Sequence, residues 1–147
     1  MDRFFDQILY DYALSWLRVP YIWGGSSFDG VDCSGLVVEI LKSAGMVPYG
    51  YDSTAMGIAT YFADPMLAKE VHEADFGDLV FFGGSNTNIK HVGFCLDAKR
   101  MIEAGGGDRN TKTKQDALYA GAFVRVRPIN HRKDVVVIIR PDYQKGK

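Results

Sequence analysis

The sequence predicts an α+β protein, helices first and an antiparallel sheet after. Two observations carry that expectation. The first half of the chain places apolar residues at helical spacing, and the second half holds short runs that alternate with period two. Helices and strands segregated along a chain, rather than interleaved, is the α+β pattern. No repeat, low-complexity tract or Pro/Gly/Ser linker interrupts the 147 residues. Residues 1–147 therefore read as one domain, long enough to bury a proper core.

Phe5, Ile8, Leu9, Tyr12 and Trp16 share one side of a helix predicted over 3–18, which Pro20 ends. Trp23-Gly24-Gly25-Ser26-Ser27-Phe28-Asp29-Gly30 reads as an ordered loop. Asp32 suits the N-cap of a helix over 33–44, and Gly45 suits its C′ position. A third helix is predicted from Ser53 to about Phe62, before Asp64-Pro65. Strands are predicted over 78–82, 91–96, 100–104, 122–127 and 135–140, a sheet of about five. A polar loop is expected from Gly83 to Lys90, and a tight turn at Asp97-Ala98-Lys99 joins the second strand to the third.

Composition removes several function classes. The formal net charge of −1 leaves no basic footprint for nucleic acid and no pull toward anionic lipid. Runs such as Val135 to Ile139 are too short to span a bilayer. Cys33 and Cys95 lack CxxC spacing, and His72, His91 and His131 are scattered, so neither a disulfide framework nor a metal site is expected. No organic cofactor is suggested either. The N-terminus has no apolar run or cleavage site, so no secretory signal is expected. Aromatics make up 13% of the chain, more than such a core needs, so some are expected to line a groove.

Two residues stand out chemically. Cys33 falls in the first turn of the second predicted helix, where unpaired N–H groups and the helix dipole favour a thiolate and can receive an oxyanion. The plain alternative is a small buried hydrophobe, the commonest fate of a free cysteine, or a disulfide to Cys95. Polar neighbours Asp32 and Ser34 and the preceding loop favour a cleft. His91 opens a strand in which Val92, Phe94 and Leu96 take one face, leaving His91, Gly93 and Cys95 on the other. With the turn centred on Ala98, Glu103 lies opposite Gly93 and diagonal to His91. Diagonal neighbours are about 7–8 Å apart at the backbone, within reach of a long side chain. Gly93 is expected to leave an open spot beside the histidine, and Glu103 to accept a hydrogen bond from it. Glu103 as a solvated surface charge is the alternative. His72 reads as surface and His131 as a turn.

Pro20-Tyr21-Ile22-Trp23-Gly24-Gly25, followed by Asp32-Cys33-Ser34-Gly35-Leu36-Val37, resembles the nucleophile region of the NlpC-type cell-wall peptidases, a papain-like group. Gly77-Asp78-Leu79-Val80-Phe81-Phe82, His91-Val92-Gly93-Phe94 and Met101-Ile102-Glu103-Ala104 resemble its later blocks, in the same order. The resemblance implies a papain-like fold and hydrolysis of stem-peptide bonds in peptidoglycan through a thioester, often after D-γ-glutamyl. It makes Cys33 the nucleophile and His91 the base, with Tyr21 near the oxyanion and Asp32 and Ser34 gripping the stem peptide's amine. Trp23 is expected to anchor the loop rather than to face substrate.

Two positions depart from the family pattern. Glu103 stands where a neutral polar residue or histidine is usual, and a carboxylate there is expected to raise the pKa of His91. Asp52-Ser53-Thr54 stands where relatives have a basic residue before the third helix. A compact, unaccompanied member resembles phage lysins and tail-associated hydrolases. The expectation is synthesis in the cytoplasm and delivery to the wall by a virion or by lysis, with phage tail or lysis proteins as partners. An acyltransferase on the same fold, or a non-catalytic wall-binding or tail module, are the alternatives.

Overall fold

The computed structural model describes residues 3–144. Helix α1 runs Arg3–Leu14, shorter than its apolar spacing predicts. Trp16 and Leu17 donate to carbonyls three residues back, Ser15 Oγ bonds the Tyr12 carbonyl, and Arg18 turns the chain at φ 73°. The helix is therefore closed by a tightened last turn and a left-handed residue, two positions before Pro20. A two-residue hairpin follows, β1 (Ser26–Ser27) on β2 (Gly30–Val31), within the segment read as a loop.

Helix α2 (Cys33–Ser43) starts at its Asp32 cap and ends at Ala44, with Gly45 at φ 72° in the left-handed turn beyond. Leu36, Val37, Ile40 and Leu41 are fully buried, so α2 is a core helix rather than a half-wet one. It packs against α1, α3 (Ala55–Tyr61) and the sheet strands β5 (Asn88–Cys95) and β6 (Arg100–Gly105). Each such side chain contributes about 1.5–3 kcal/mol by leaving water. Helix α3 (Ala55–Tyr61) is capped by Thr54, whose hydroxyl accepts from Gly57 N–H, one residue later than the sequence suggests.

The main sheet has six antiparallel strands in the order β3-β8-β4-β5-β6-β7. They are β3 (Ala68–Val71), β4 (Leu79–Ser85), β5 (Asn88–Cys95), β6 (Arg100–Gly105), β7 (Phe123–Pro128) and β8 (Val135–Pro141). The strand beyond the expected five is β3, a short edge whose charged sequence, Ala68-Lys69-Glu70-Val71, hides its pairing with β8. Gly83 to Lys90 is not a loop: β4 and β5 continue through it and close at a two-residue turn, Asn86-Thr87. Helix α4 (Lys114–Ala120) is stabilised by a reciprocal cap between Thr113 and Asp116 and by Gly121 at φ 64°. Among the described residues, no helix is long and apolar enough to cross a membrane.

Strand β5 carries a bulge that matters for the site. Phe82 pairs with His91 and Gly83 with Ile89, so Lys90 is the extra residue between them. The bulge resets the alternation. Ile89 joins Val92 and Phe94 in the main core, Lys90 is exposed, and His91 is aimed at the opposite face. The pairs Phe94–Ile102 and Cys95–Met101 give β5 and β6 the register expected for a turn centred on Ala98.

Candidate active site

Cys33 is the first residue of α2, half-buried, and its surroundings are built by one carboxylate. Asp32 Oδ1 accepts from Gly35 N–H at 2.7 Å and from Ser34 Oγ at 3.2 Å, while Oδ2 accepts from Gly24 N–H at 2.9 Å. The same side chain thus caps the helix and pins the glycine loop over its first turn. Only glycines permit that approach: Gly24 sits at φ 77°, and a Cβ on Gly35 would lie 2.2 Å from the Gly25 carbonyl oxygen. Leu36 N–H goes to the Asp32 carbonyl, which leaves the Cys33 and Ser34 amides of the first turn without a partner among the described residues.

His91 is 7% exposed, and its ring lies against Phe82, its cross-strand neighbour, with centroids 5.5 Å apart. Nε2 is 2.5 Å from Oε1 of Glu103, itself 3% exposed. That leaves Nδ1 as the ring nitrogen available to Cys33, whose side chain lies close enough to act on the imidazole pKa. Burial alone pushes the imidazole pKa down, but the hydrogen bonds to Cys33 and Glu103 and the charges of both outweigh it and hold it up to about 9. Burial likewise opposes the Glu103 carboxylate. The bond to His91, the charge of that ring and the charges of Arg127 and His131 win, and its pKa lies below the ordinary carboxylate value. The open spot expected beside Gly93 does not exist: a Cβ there would meet Sδ of Met101 at 2.6 Å. The thioether fills the gap.

Cys33 opens into a groove of about 860 Å³ with two walls. One is formed by Trp23-Gly24-Gly25 and the loop Gly107-Asp108-Arg109, the other by Asp52 to Ala55 with Ile89 and Lys90. Trp23 is 53% exposed and lines this groove, where the sequence suggests an anchor of the loop rather than a residue facing substrate. Tyr21 is buried, and a Cβ on Gly107 would collide with its ring. Its hydroxyl pKa is pushed up by burial and by the nearby charges of Cys33, Asp32 and Asp108, which keeps the O–H protonated beside the cysteine. Among the described residues, no group of three or more His, Cys, Asp or Glu gathers to hold a metal.

Several residues escaped sequence reasoning. Arg127 Nε lies 3.4 Å from Oε2 of Glu103, and Arg127 Nη1 donates to Nε2 of His131, which sits in a single 3₁₀ turn (Ile129–His131). The alternation Phe123/Arg125/Arg127 was a visible signal, but not which strand it would flank. Lys90 was invisible because nothing in Asn88-Ile89-Lys90 marks a bulge.

Fold and site together define an α+β frame that sets a thiol, an imidazole and a carboxylate in line at a groove. Residues 18–128 match the NlpC/P60 family, and the chain belongs to that family. It is 36% identical over 104 residues to the bifunctional muramidase/DL-endopeptidase CwlT of Bacillus subtilis, a match covering 63% of this chain and 27% of that protein. The chain thus spans about a quarter of that relative's length. The NlpC/p60 domain of the peptidoglycan hydrolase SagA shares the fold, with TM-score 0.63, 20% identity and coverage of 91% of this chain and 97% of that one. RipD from Mycobacterium tuberculosis, described as a non-catalytic NlpC/p60 domain protein adapted to peptidoglycan binding, does so equally, with TM-score 0.63, 18% identity and coverage of 92% and 95%. At these identities the two structures speak for the fold alone, and chemistry must be argued from the side chains.

Proposed function

We propose that the chain is a cysteine endopeptidase acting on the stem peptides of peptidoglycan, cutting a D-γ-glutamyl–diamino acid amide bond. The observation that carries this reading is the buried pair His91–Glu103 set behind Cys33, whose thiol opens into the groove. In it, Cys33 Sγ gives its proton to His91 and attacks the carbonyl carbon. The oxyanion is received by the free amides of the first turn of α2, with the Tyr21 hydroxyl as a second donor. His91 passes the proton to the departing amine as the C–N bond breaks and a thioester remains. Water then attacks the thioester, His91 takes its proton, and the acid and the free thiol are released. Glu103 fixes the ring so that Nδ1 faces the thiol, and stabilises the imidazolium.

Substrate contacts follow from what the groove leaves unsatisfied. Asp32 spends three of about four acceptor sites inside the protein, leaving one on Oδ2. With Ser34 beside it, that site is our candidate for the stem peptide's amine. Delivery to the wall by a virion or by lysis belongs to this reading, and detecting the chain in purified virions tests it.

The deciding experiment is mass spectrometry of fragments released from purified peptidoglycan by the wild-type protein and by Cys33→Ala. Fragments from the wild type alone, with masses that place the cut after D-glutamate, are the expected result. No fragments from walls of several chemotypes would overturn the hydrolase and favour acyl transfer or wall binding.

A further inference from the structure

A carboxylate as deeply buried as Glu103 costs several kcal/mol unless it is paired. His91 pairs it, but a general base alternates between imidazolium and neutral imidazole on every turnover. In the neutral half of the cycle Glu103 would face no positive charge from that side. Its second oxygen faces Arg127, whose guanidinium stays charged at every working pH. Other cations stand nearby, yet each is committed elsewhere. Arg125, also on β7, lies over the Phe123 ring at 3.8 Å and donates to the Gly121 carbonyl. Arg132, just after the 3₁₀ turn, makes two bonds of 2.9 and 2.8 Å to Asp134. His131 is exposed and its ring nitrogen is taken up by Arg127.

We propose that Arg127 is a positioning residue: it holds Oε2 of Glu103 so that Oε1 stays aimed at His91 in both protonation states of the ring. The inference rests on the reading of Cys33, His91 and Glu103 as the reacting line. It explains how this chain carries glutamate at that position, since a neutral residue there would need no permanent counter-charge.

The test reads Glu103 itself. The chain has four glutamates (Glu39, Glu70, Glu73 and Glu103), so protein labelled with ¹³C at the glutamate carboxyl gives four NMR signals, and Glu103→Gln assigns the one that matters. Removing a cation beside a carboxylate raises its pKa, so Glu103 in Arg127→Met is expected to titrate about one pH unit higher than in wild type. Arg127→Lys, which keeps the charge, is expected to restore the wild-type titration. The acid limb of kcat/KM on wall fragments moves up with the carboxyl in the Met variant. Should Arg127→Met fail to fold, Arg127→Gln removes the charge with a smaller change of shape and carries the same expectation. An unshifted Glu103 signal in a folded uncharged variant overturns the proposal. A wild-type protein that releases no fragments would refute the hydrolase instead, and the carboxyl titration would still decide the role of Arg127.

Discussion

Two regions of the molecule hold the same four kinds of side chain. At the candidate site they are Cys33, Glu103, Arg127 and Tyr21; between β4, β5 and the end of β8 they are Cys95, Asp78, Arg140 and Tyr143. In the second region Asp78 is fully buried, and both its oxygens lie 2.9 Å from the Arg140 guanidinium. Oδ2 also accepts from Asp75 N–H, and Tyr143 donates to the Gly77 carbonyl at 2.6 Å. Cys95 is 0% exposed, and burial, then the charges of Asp78 and Asp97, drive its thiol pKa up. Both Asp78 oxygens and the Tyr143 hydroxyl are satisfied within the protein there. At the candidate site an imidazole stands between carboxylate and thiol, and the thiol faces a cavity. The same chemistries make a joint in one place and the proposed reacting line in the other, and the imidazole and the opening make the difference.

The largest effect that can break this comparison is on the thiols. Cys33→Ala is expected to lower turnover by about 10⁵-fold or more while leaving the fold intact. Iodoacetamide should label Cys33 in the native protein and leave Cys95 untouched until it unfolds, as peptide mass spectrometry would show. Equal labelling of both would erase the distinction. The carboxylates come next. Glu103→Gln is expected to reduce kcat by about 10²-fold in protein that still folds. Asp78→Asn should do the reverse, costing about 3 kcal/mol of stability, the low end for a broken buried pair because Arg140 reaches solvent. Turnover per folded Asp78→Asn molecule should match wild type, and urea titration beside initial rates separates the two effects.

Proton linkage sharpens the contrast at a smaller scale. The His91 pKa is raised from 6.5 to about 9 in the folded state, so its contribution to stability is fully present below pH 6.5. It is lost as pH rises through 9. The urea midpoint of wild type should therefore fall over that window, by an amount on the order of 2–3 kcal/mol in free energy. His91→Gln should remove the slope, and a wild-type midpoint that stays level from pH 6.5 to 9 would refute the pairing.

Much of this was legible from residue order. Asp32 before an apolar helical run announces a cap, and it delivers Cys33 to the first turn. The turn at Asp97-Ala98-Lys99 is tight enough to set the β5–β6 register, and that register places Glu103 beside His91. What stayed hidden depends on partners far along the chain. Strand β3 is charged and short, and only β8, over sixty residues later, makes it a strand. Arg127 reads as an alternating strand residue until β7 is known to flank β6. Met101 filling the space over Gly93 is likewise a fact of packing across strands, which no local pattern encodes.

The β5 bulge gives the smallest prediction and the one that bears most on substrate. Lys90 is the residue the bulge ejects, it lines the groove, and it has no ion-pair partner among the described residues. Asp52-Ser53-Thr54, at the same wall, puts an acid and no cation before α3. Lys90 is then the cation on that wall, next to His91, the proposed base. An exposed charge contact is worth about 1 kcal/mol, so Lys90→Met should raise KM roughly fivefold and leave kcat nearly unchanged. The effect should shrink in high salt and vanish on stem peptides whose carboxylates are amidated. A fall in kcat with KM unmoved would mean that Lys90 supports the geometry of His91 through the bulge instead of touching substrate.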